Sequence, residues 1–362
     1  MQPLFLHQFH QAHGAQFTDL NGAEAVEHYG DWLGEYEVLR SGAGILDLSF
    51  RSRLCLAGAD RVRFLHGQVT NDIKALRVGT GCYAALVNAK GRMESDLNIF
   101  CLEDELLLDF EPGIRGSVAQ RLEKYIVADD VQVVDVAPLY GLLSVQGPAA
   151  AALLSCIGGP AEQAAAPLGI GLLADATPGE IYVANHQRFA GGGFDLFVPQ
   201  SAMAMMVEKL MAAGGHLGAR LCGWRACETL RIELGIARFG ADMDATNFPQ
   251  EAGIESRAVS YSKGCYIGQE VLNRIHTMGH VNRELCGLRW GDGLRNLPQK
   301  GDRLFQNDKE VGMITSATKS PRLGAQIALG YVRREVRTIG TSLALRTATE
   351  QTEARIVALP FQ

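Results

Sequence analysis

The chain has 362 residues, 47% of them hydrophobic and 20% charged, with a formal net charge of -6. That length exceeds one typical core, so two or three domains are expected, and the acidic balance argues against nucleic acid or an anionic membrane as the main partner. No apolar run approaches the ~20 residues of a membrane span, and residues 1–14 lack a basic stretch followed by an apolar one, so a cytoplasmic protein is expected.

Taken in order, residues 1–16 carry His7, His10 and His13 at helical spacing. With no carboxylate or cysteine beside them, they predict a surface helix or loose terminus rather than a metal site. Trp32, Leu33, Tyr36, Val38 and Leu39 predict a packed helix ending near Gly42. Residues 45–47 and 51–56 alternate as short strands, and a helix follows Asp60 with Val62, Leu65 and His66 on one side. Gly79, Gly81 and Ala84 match a dinucleotide fingerprint by spacing, but residues 84–88 read as a strand where pyrophosphate binding needs a helix, so the match is rejected.

Strands are expected at 84–88, 93–100, 105–110 and 131–136, with an amphipathic helix at 116–127 carrying Val118, Leu122, Tyr125 and Ile126. Strands flanking helices in this order suggest an α+β domain. A strand at 140–145 precedes an alanine-rich helix ending at Cys156, residues 158–171 read as a mobile surface region, and 181–185 with 194–198 resemble a hairpin. The helix at 202–213 has a methionine-lined face, expected as core filling. Residues 220–234 interleave Arg225, Glu228, Arg231 and Glu233 with apolar positions, and structural ion pairs and a binding role both fit that pattern. Beyond Arg283, short strands at 285–289, 301–305, 311–317, 327–332 and 343–345 indicate a separate all-β barrel or sandwich.

The eight cysteines include no C-x-x-C pair, which argues for free thiols and against zinc. One of them sits in the most site-like stretch, Lys263-Gly264-Cys265-Tyr266-Ile267-Gly268-Gln269-Glu270. A helix beginning near Gly268 and the charge of Lys263 would both favour a thiolate at Cys265; a buried, inert cysteine is the alternative. His276 and His280 are four apart, but Gly279 between them reads as a helix end rather than a metal site.

Arg231-Ile232-Glu233-Leu234-Gly235, Gly240-x-Asp242-Met243-Asp244 and Pro249-x-Glu251-Ala252-Gly253 resemble the folate-binding aminomethyltransferase superfamily, the glycine cleavage T-protein and its relatives. Leu46-Asp47-Leu48-Ser49, Gly67-Gln68-Val69-Thr70-Asn71-Asp72 and Leu359-Pro360-Phe361 agree, so the resemblance spans nearly the whole chain. Within that superfamily, the Lys263 to Glu270 stretch resembles the YgfZ branch, related to iron–sulfur maturation factors.

The resemblance implies an α+β cloverleaf of three domains around a folate channel. Residues 1–284 would form the folate-binding region, with two interleaved subdomains, one roughly 53–137, and residues 285–362 a C-terminal all-β barrel. It implies Asp96 near the reactive nitrogen of tetrahydrofolate, Arg225, Arg231 and Lys263 as further cofactor contacts, and Cys265 as a functional thiol, with no resident metal. Arg231 suits the folate carboxylates because a guanidinium binds them bidentately. Two functions follow from it: an accessory role in iron–sulfur cluster assembly or repair, with iron–sulfur client or assembly proteins as partners, or folate-dependent one-carbon transfer centred on Asp96. One departure counts against ordinary aminomethyl transfer: Gly191-Gly192-Gly193-Phe194-Asp195 lacks the glutamate that anchors the pterin in aminomethyltransferases.

Overall fold

The computed structural model describes residues 1–159, 165–173, 179–291 and 294–362, and the chain divides into two compact units, Met1–Ala84 with Asp96–Cys227, and Ala85–Ser95 with Glu228–Gln362. In the first unit a six-stranded sheet runs in the order Ile170–Leu172, Tyr182–Ala184, Gly193–Pro199, Tyr140–Gln146, Gly44–Asp47, Arg220–Leu221. Its pairings are antiparallel except the last, which is parallel. Helices Ala150–Cys156 and Met203–Gly214 cover it, because Leu153, Leu154, Met203, Met206, Val207 and Leu210 recur at helical spacing and are buried against Val145, Leu196 and Val198. The methionine face is core filling, as its composition suggested.

A five-stranded sheet follows the order Gly81–Val87, Met93–Cys101, Glu105–Phe110, Ser52–Ala57, Gln132–Asp135. Its central strands supply the core, with Leu54, Leu56, Leu97, Ile99, Leu106 and Leu108 almost wholly buried, while Gln132–Asp135 is a largely exposed edge. Gly81 begins a strand, so rejecting the dinucleotide fingerprint agrees with the structure. The helix expected over 116–127 is shorter, Arg115–Glu123: Val118 and Leu122 are buried, but Tyr125 and Val127 are exposed, so the apolar face ends after two turns.

Two expectations for surface segments fail here. Ile170–Leu172 is an edge strand with Ile170 buried, not part of a mobile surface region; positions 160–164 of that region lie outside the described residues. His10, expected in a surface helix, is fully buried in the helix His7–Ala12, with Nε2 2.9 Å from Asp47 and Nδ1 2.8 Å from the Tyr29 hydroxyl. Its carboxylate partner lies 37 residues away, which sequence neighbours could not reveal. Among the described residues no group of three or more metal-ligating side chains exists, and no helix is long and apolar enough to cross a membrane.

The second unit contains a closed, antiparallel six-stranded barrel ordered Arg283–Trp290, Ala325–Arg333, Lys309–Ser320, Arg303–Gln306, Ser342–Arg346, Gln351–Val357. The last strand pairs with the first, Gly287 opposite Val357, and closes the barrel. Leu288, Leu304, Ile314, Val332, Leu345 and Ile356 fill its interior. The closing strand has no counterpart among the strands expected from sequence: only Ala354 and Ile356 of its seven residues are buried, so its hydrophobic signal is thin.

Candidate functional site

Asp96 lies on the strand Met93–Cys101 and accepts a 2.8 Å hydrogen bond from the Tyr83 hydroxyl on the neighbouring strand Gly81–Val87. Burial and the Glu111 carboxylate push the Asp96 carboxyl up to about 6, against the Tyr83 hydroxyl and Arg51, which favour its anion. A carboxyl poised there is mostly ionised at neutral pH yet takes up a proton readily, the property an acid–base or charge-stabilising group needs.

Beneath it lies a buried charge network. Arg51 Nε donates to both Asp109 oxygens at 2.8 and 3.1 Å, and its Nη1 donates to Glu111. Arg188 Nη2 reaches Asp109 at 3.3 Å and Asp195 at 2.6 Å, so one guanidinium links a carboxylate of the five-stranded sheet to one of the six-stranded sheet. Asp195 also accepts from Ser144 at 2.7 Å and lies 2.8 Å from His186 Nδ1. Burial opposes ionisation of Asp195, but Arg188 and His186 overcome it and hold the carboxyl well below the usual range. Burial, together with Arg188, pushes the His186 pKa down, with Asp195 acting against it. Sequence reasoning missed Tyr83, Glu111, Arg51, His186 and Arg188; only Tyr83 lies within a strand, the others sit just outside strand ends or in a connection, and their convergence left no local signal.

The remaining candidates differ in how much of their chemistry is available. Arg225, on the helix Trp224–Glu233, is exposed, stacks on Trp32 with its guanidinium carbon 4.3 Å from the ring centre, and has no carboxylate partner among the described residues. Arg231, on the same helix, is buried: Nε donates to Glu228 at 3.0 Å, Nη1 to the Ile236 carbonyl at 3.1 Å and to Asp242, and Nη2 to Glu228 and Ser316. Burial alone would lower its pKa; Asp242 and Glu228 outweigh that and raise it. A β-bulge between Ile314 and Ser316 lets consecutive side chains, Thr315 and Ser316, both donate to Asp242 Oδ1, which a regular strand would place on opposite faces. Of the two readings of residues 220–234, the structural ion pair describes Arg231, and the Gly240-x-Asp242 motif supplies its counter-ion.

Cys265 is exposed and precedes the helix Gln269–Met278, whose N-cap is Gly268 at φ 86°, where the sequence placed it. Lys263 is buried, with its ammonium 4.9 Å from the centre of the Tyr266 ring. All eight cysteines are free. His276 stacks on Tyr261 and lies 2.9 Å from Glu255 Oε1, so it belongs to a local side-chain cluster. Asp96 and Arg225 fall in the first unit; Arg231, Lys263 and Cys265 fall in the second.

Two family models match the chain: the GCVT N-terminal domain over residues 6–263 and the glycine cleavage T-protein C-terminal barrel domain over residues 283–362. An aminomethyltransferase of Desulforamulus reducens is 29% identical over 360 residues, covering 98% of this chain and 96% of the relative. One from Bacillus subtilis is 28% identical over 361 residues, covering 99% and 98%. The crystal structure of glycine cleavage system aminomethyltransferase T from Bartonella henselae is similar with a TM-score of 0.88 over 100% of this chain and 98% of that chain. At 24% identity that likeness bears on the fold alone.

Proposed function

Because the chain belongs to the glycine cleavage T-protein family, we propose that it transfers a one-carbon unit from an aminomethyl or N-methyl donor to tetrahydrofolate. The observation that carries this reading is the Asp96 carboxyl, half-buried, held by Tyr83 and raised to about 6. Tetrahydrofolate, when bound, supplies the nitrogen that receives the carbon. Asp96 would orient that edge of the pterin and stabilise positive charge developing beside it. Arg225 fits the carboxylate end: it is exposed, its guanidinium lies over the Trp32 ring, and it has no carboxylate partner among the described residues. Arg231 fits that task less well, since all three of its guanidinium nitrogens donate internally.

The departure at Gly191 to Asp195 bears on pterin affinity. Asp195 is committed to Arg188, His186 and Ser144, so it does not replace the missing glutamate. Binding would therefore rest more heavily on Asp96 and Arg225 than in the aminomethyltransferases. The test is turnover of an aminomethylated carrier or N-methyl substrate with tetrahydrofolate, alongside titration of tetrahydrofolate against tryptophan fluorescence. Asp96→Asn is expected to lower turnover by about a hundredfold or more while folate still binds. An unaffected rate, or no binding at millimolar folate, would overturn the reading.

A second reading, a YgfZ-type accessory role in iron–sulfur cluster assembly or repair, is favoured by one observation: the Cys265 thiol is exposed just ahead of a helix. With no ligand cluster beside it among the described residues, such a thiol would act transiently or with a partner protein. Cells lacking their native factor and carrying Cys265→Ser should fail to restore iron–sulfur enzyme activities; full rescue would remove the thiol from the mechanism.

A further inference from the structure

The second unit carries a cleft that neither reading uses. It measures about 820 Å³, and four arginines, Arg92, Arg283, Arg333 and Arg334, line it against two glutamates, Glu251 and Glu335. The local balance is thus +2, four positive minus two negative, in a chain of net charge -6.

Half of this cation cluster is fixed in place. Arg92 lies with its guanidinium carbon 3.6 Å from the Phe248 ring centre and donates to the Thr246 carbonyl at 2.6 Å. Arg283 donates to the same carbonyl at 2.9 Å and lies 5.0 Å from the Tyr331 ring centre. Both guanidiniums share one carboxylate, Glu251, at 3.7 Å from Arg92 and 3.4 Å from Arg283, so one negative charge serves two positive ones. The other half is unsatisfied. Arg333 has only a loose 3.9 Å ion pair with Glu335, both exposed, and Arg334 has no ion-pair or side-chain hydrogen-bond partner among the described residues. His280, exposed on the same wall, adds a further donor.

We propose that this cleft binds a phosphoryl group, as free phosphate or carried on a small phosphorylated molecule. A phosphoryl dianion matches the +2 balance, and its oxygens point in three directions. The arginines likewise arrive from three segments: position 92, the start of the strand Arg283–Trp290, and the end of the strand Ala325–Arg333. A planar carboxylate engages two forks at most in its plane. The cleft is also larger than a bare phosphate needs, which leaves space for an organic moiety.

Titration calorimetry on the full chain at low ionic strength, with inorganic phosphate, AMP and citrate as probes, tests this. The expected result is saturable binding of phosphate or AMP at least about tenfold tighter than citrate, weakened at least about tenfold by the double variant Arg333→Gln, Arg334→Gln. Both residues are exposed, so the variant should fold, and an unchanged melting temperature verifies this. AMP binding tighter than phosphate identifies an ester as the ligand; equal or weaker AMP binding identifies free phosphate, and either supports the site. No binding at about 10 mM probe, citrate within tenfold of the better phosphate probe, or unchanged affinity in the folded double variant overturns it.

Discussion

The Tyr83 hydroxyl donates to Asp96 Oδ2 at 2.8 Å, so the carboxyl proposed to face the pterin is steered by a phenol on the adjacent strand. That hydrogen bond and the Arg51 charge favour the anion, while burial and Glu111 favour the acid, and the balance leaves the group near 6. The neighbouring aromatic is therefore a tuning element as well as a positional one.

Removing the phenol hydroxyl should shift that balance in one direction. Tyr83→Phe takes away an interaction that lowers the Asp96 pKa, so the pKa rises above about 6 and the acidic limb of a pH–rate profile moves to higher pH. A limb that stays in place, or moves down, would mean that Asp96 does not govern it.

Asp96 itself should be held at a cost in stability. Its folded pKa of about 6 exceeds the unfolded value of 3.8, so between those values the folded state binds more protons and stability falls as pH rises. Above pH 6 the penalty is fully present. Asp96→Asn, which can keep the Tyr83 hydrogen bond, should raise unfolding free energy at pH 8 by on the order of 1–2 kcal/mol, a gain that disappears toward pH 4. Urea unfolding of both proteins at the two pH values measures it.

How much of this was legible in the sequence depends on the range of the interactions. Barrel strands such as Arg283–Trp290 and Ala325–Arg333 were readable because alternation and turn residues are local signals, whereas Gln351–Val357 was not, its two buried residues being outnumbered by polar ones. Asp96 was singled out only through family resemblance; what tunes it, Glu111 just after the strand Glu105–Phe110 and Arg51 just before the strand Ser52–Ala57, arrives from elsewhere in the chain. Arg231 was assigned to the folate carboxylates through the same resemblance, while its partners Asp242 and Ser316, 11 and 85 residues away, are invisible to a local reading of its helix. The misread terminus has the same cause, since His10 meets Asp47 only in the folded chain.

The two arginines of the helix Trp224–Glu233 should separate cleanly. Arg225→Ala removes an exposed guanidinium and should change stability by no more than about 0.5 kcal/mol while weakening tetrahydrofolate binding about tenfold or more. Arg231→Met leaves Asp242 buried without its counter-ion and should cost about 3–5 kcal/mol of stability. Urea unfolding and folate titration on both variants provide the comparison.

Asp195 gives the opposite pH signature to Asp96. Arg188 and His186 depress its folded pKa below 3.8, so its stabilisation is fully present above the unfolded value and is lost as pH falls through the folded one. Asp195→Asn should therefore cost about 3–5 kcal/mol at pH 7, and the gap from the unsubstituted protein should narrow below about pH 4. A gap that stays constant across this range would show that packing, not charge, accounts for the loss.

Gly268 and Cys265 belong to one motif but should respond differently. Gly268 holds φ 86°, and a Cβ there would lie 2.5 Å from the Asn88 carbonyl oxygen, so both backbone strain and a clash with main chain oppose any side chain. Gly268→Ala should cost about 2 kcal/mol or more and speed amide exchange in the first turn of the helix Gln269–Met278. Cys265→Ser, at an exposed position, should stay within about 0.5 kcal/mol of the unsubstituted protein. A Cys265→Ser variant that loses iron–sulfur enzyme support at full stability would tie the thiol to function. Loss of support in Gly268→Ala alone would assign the motif to seating the helix.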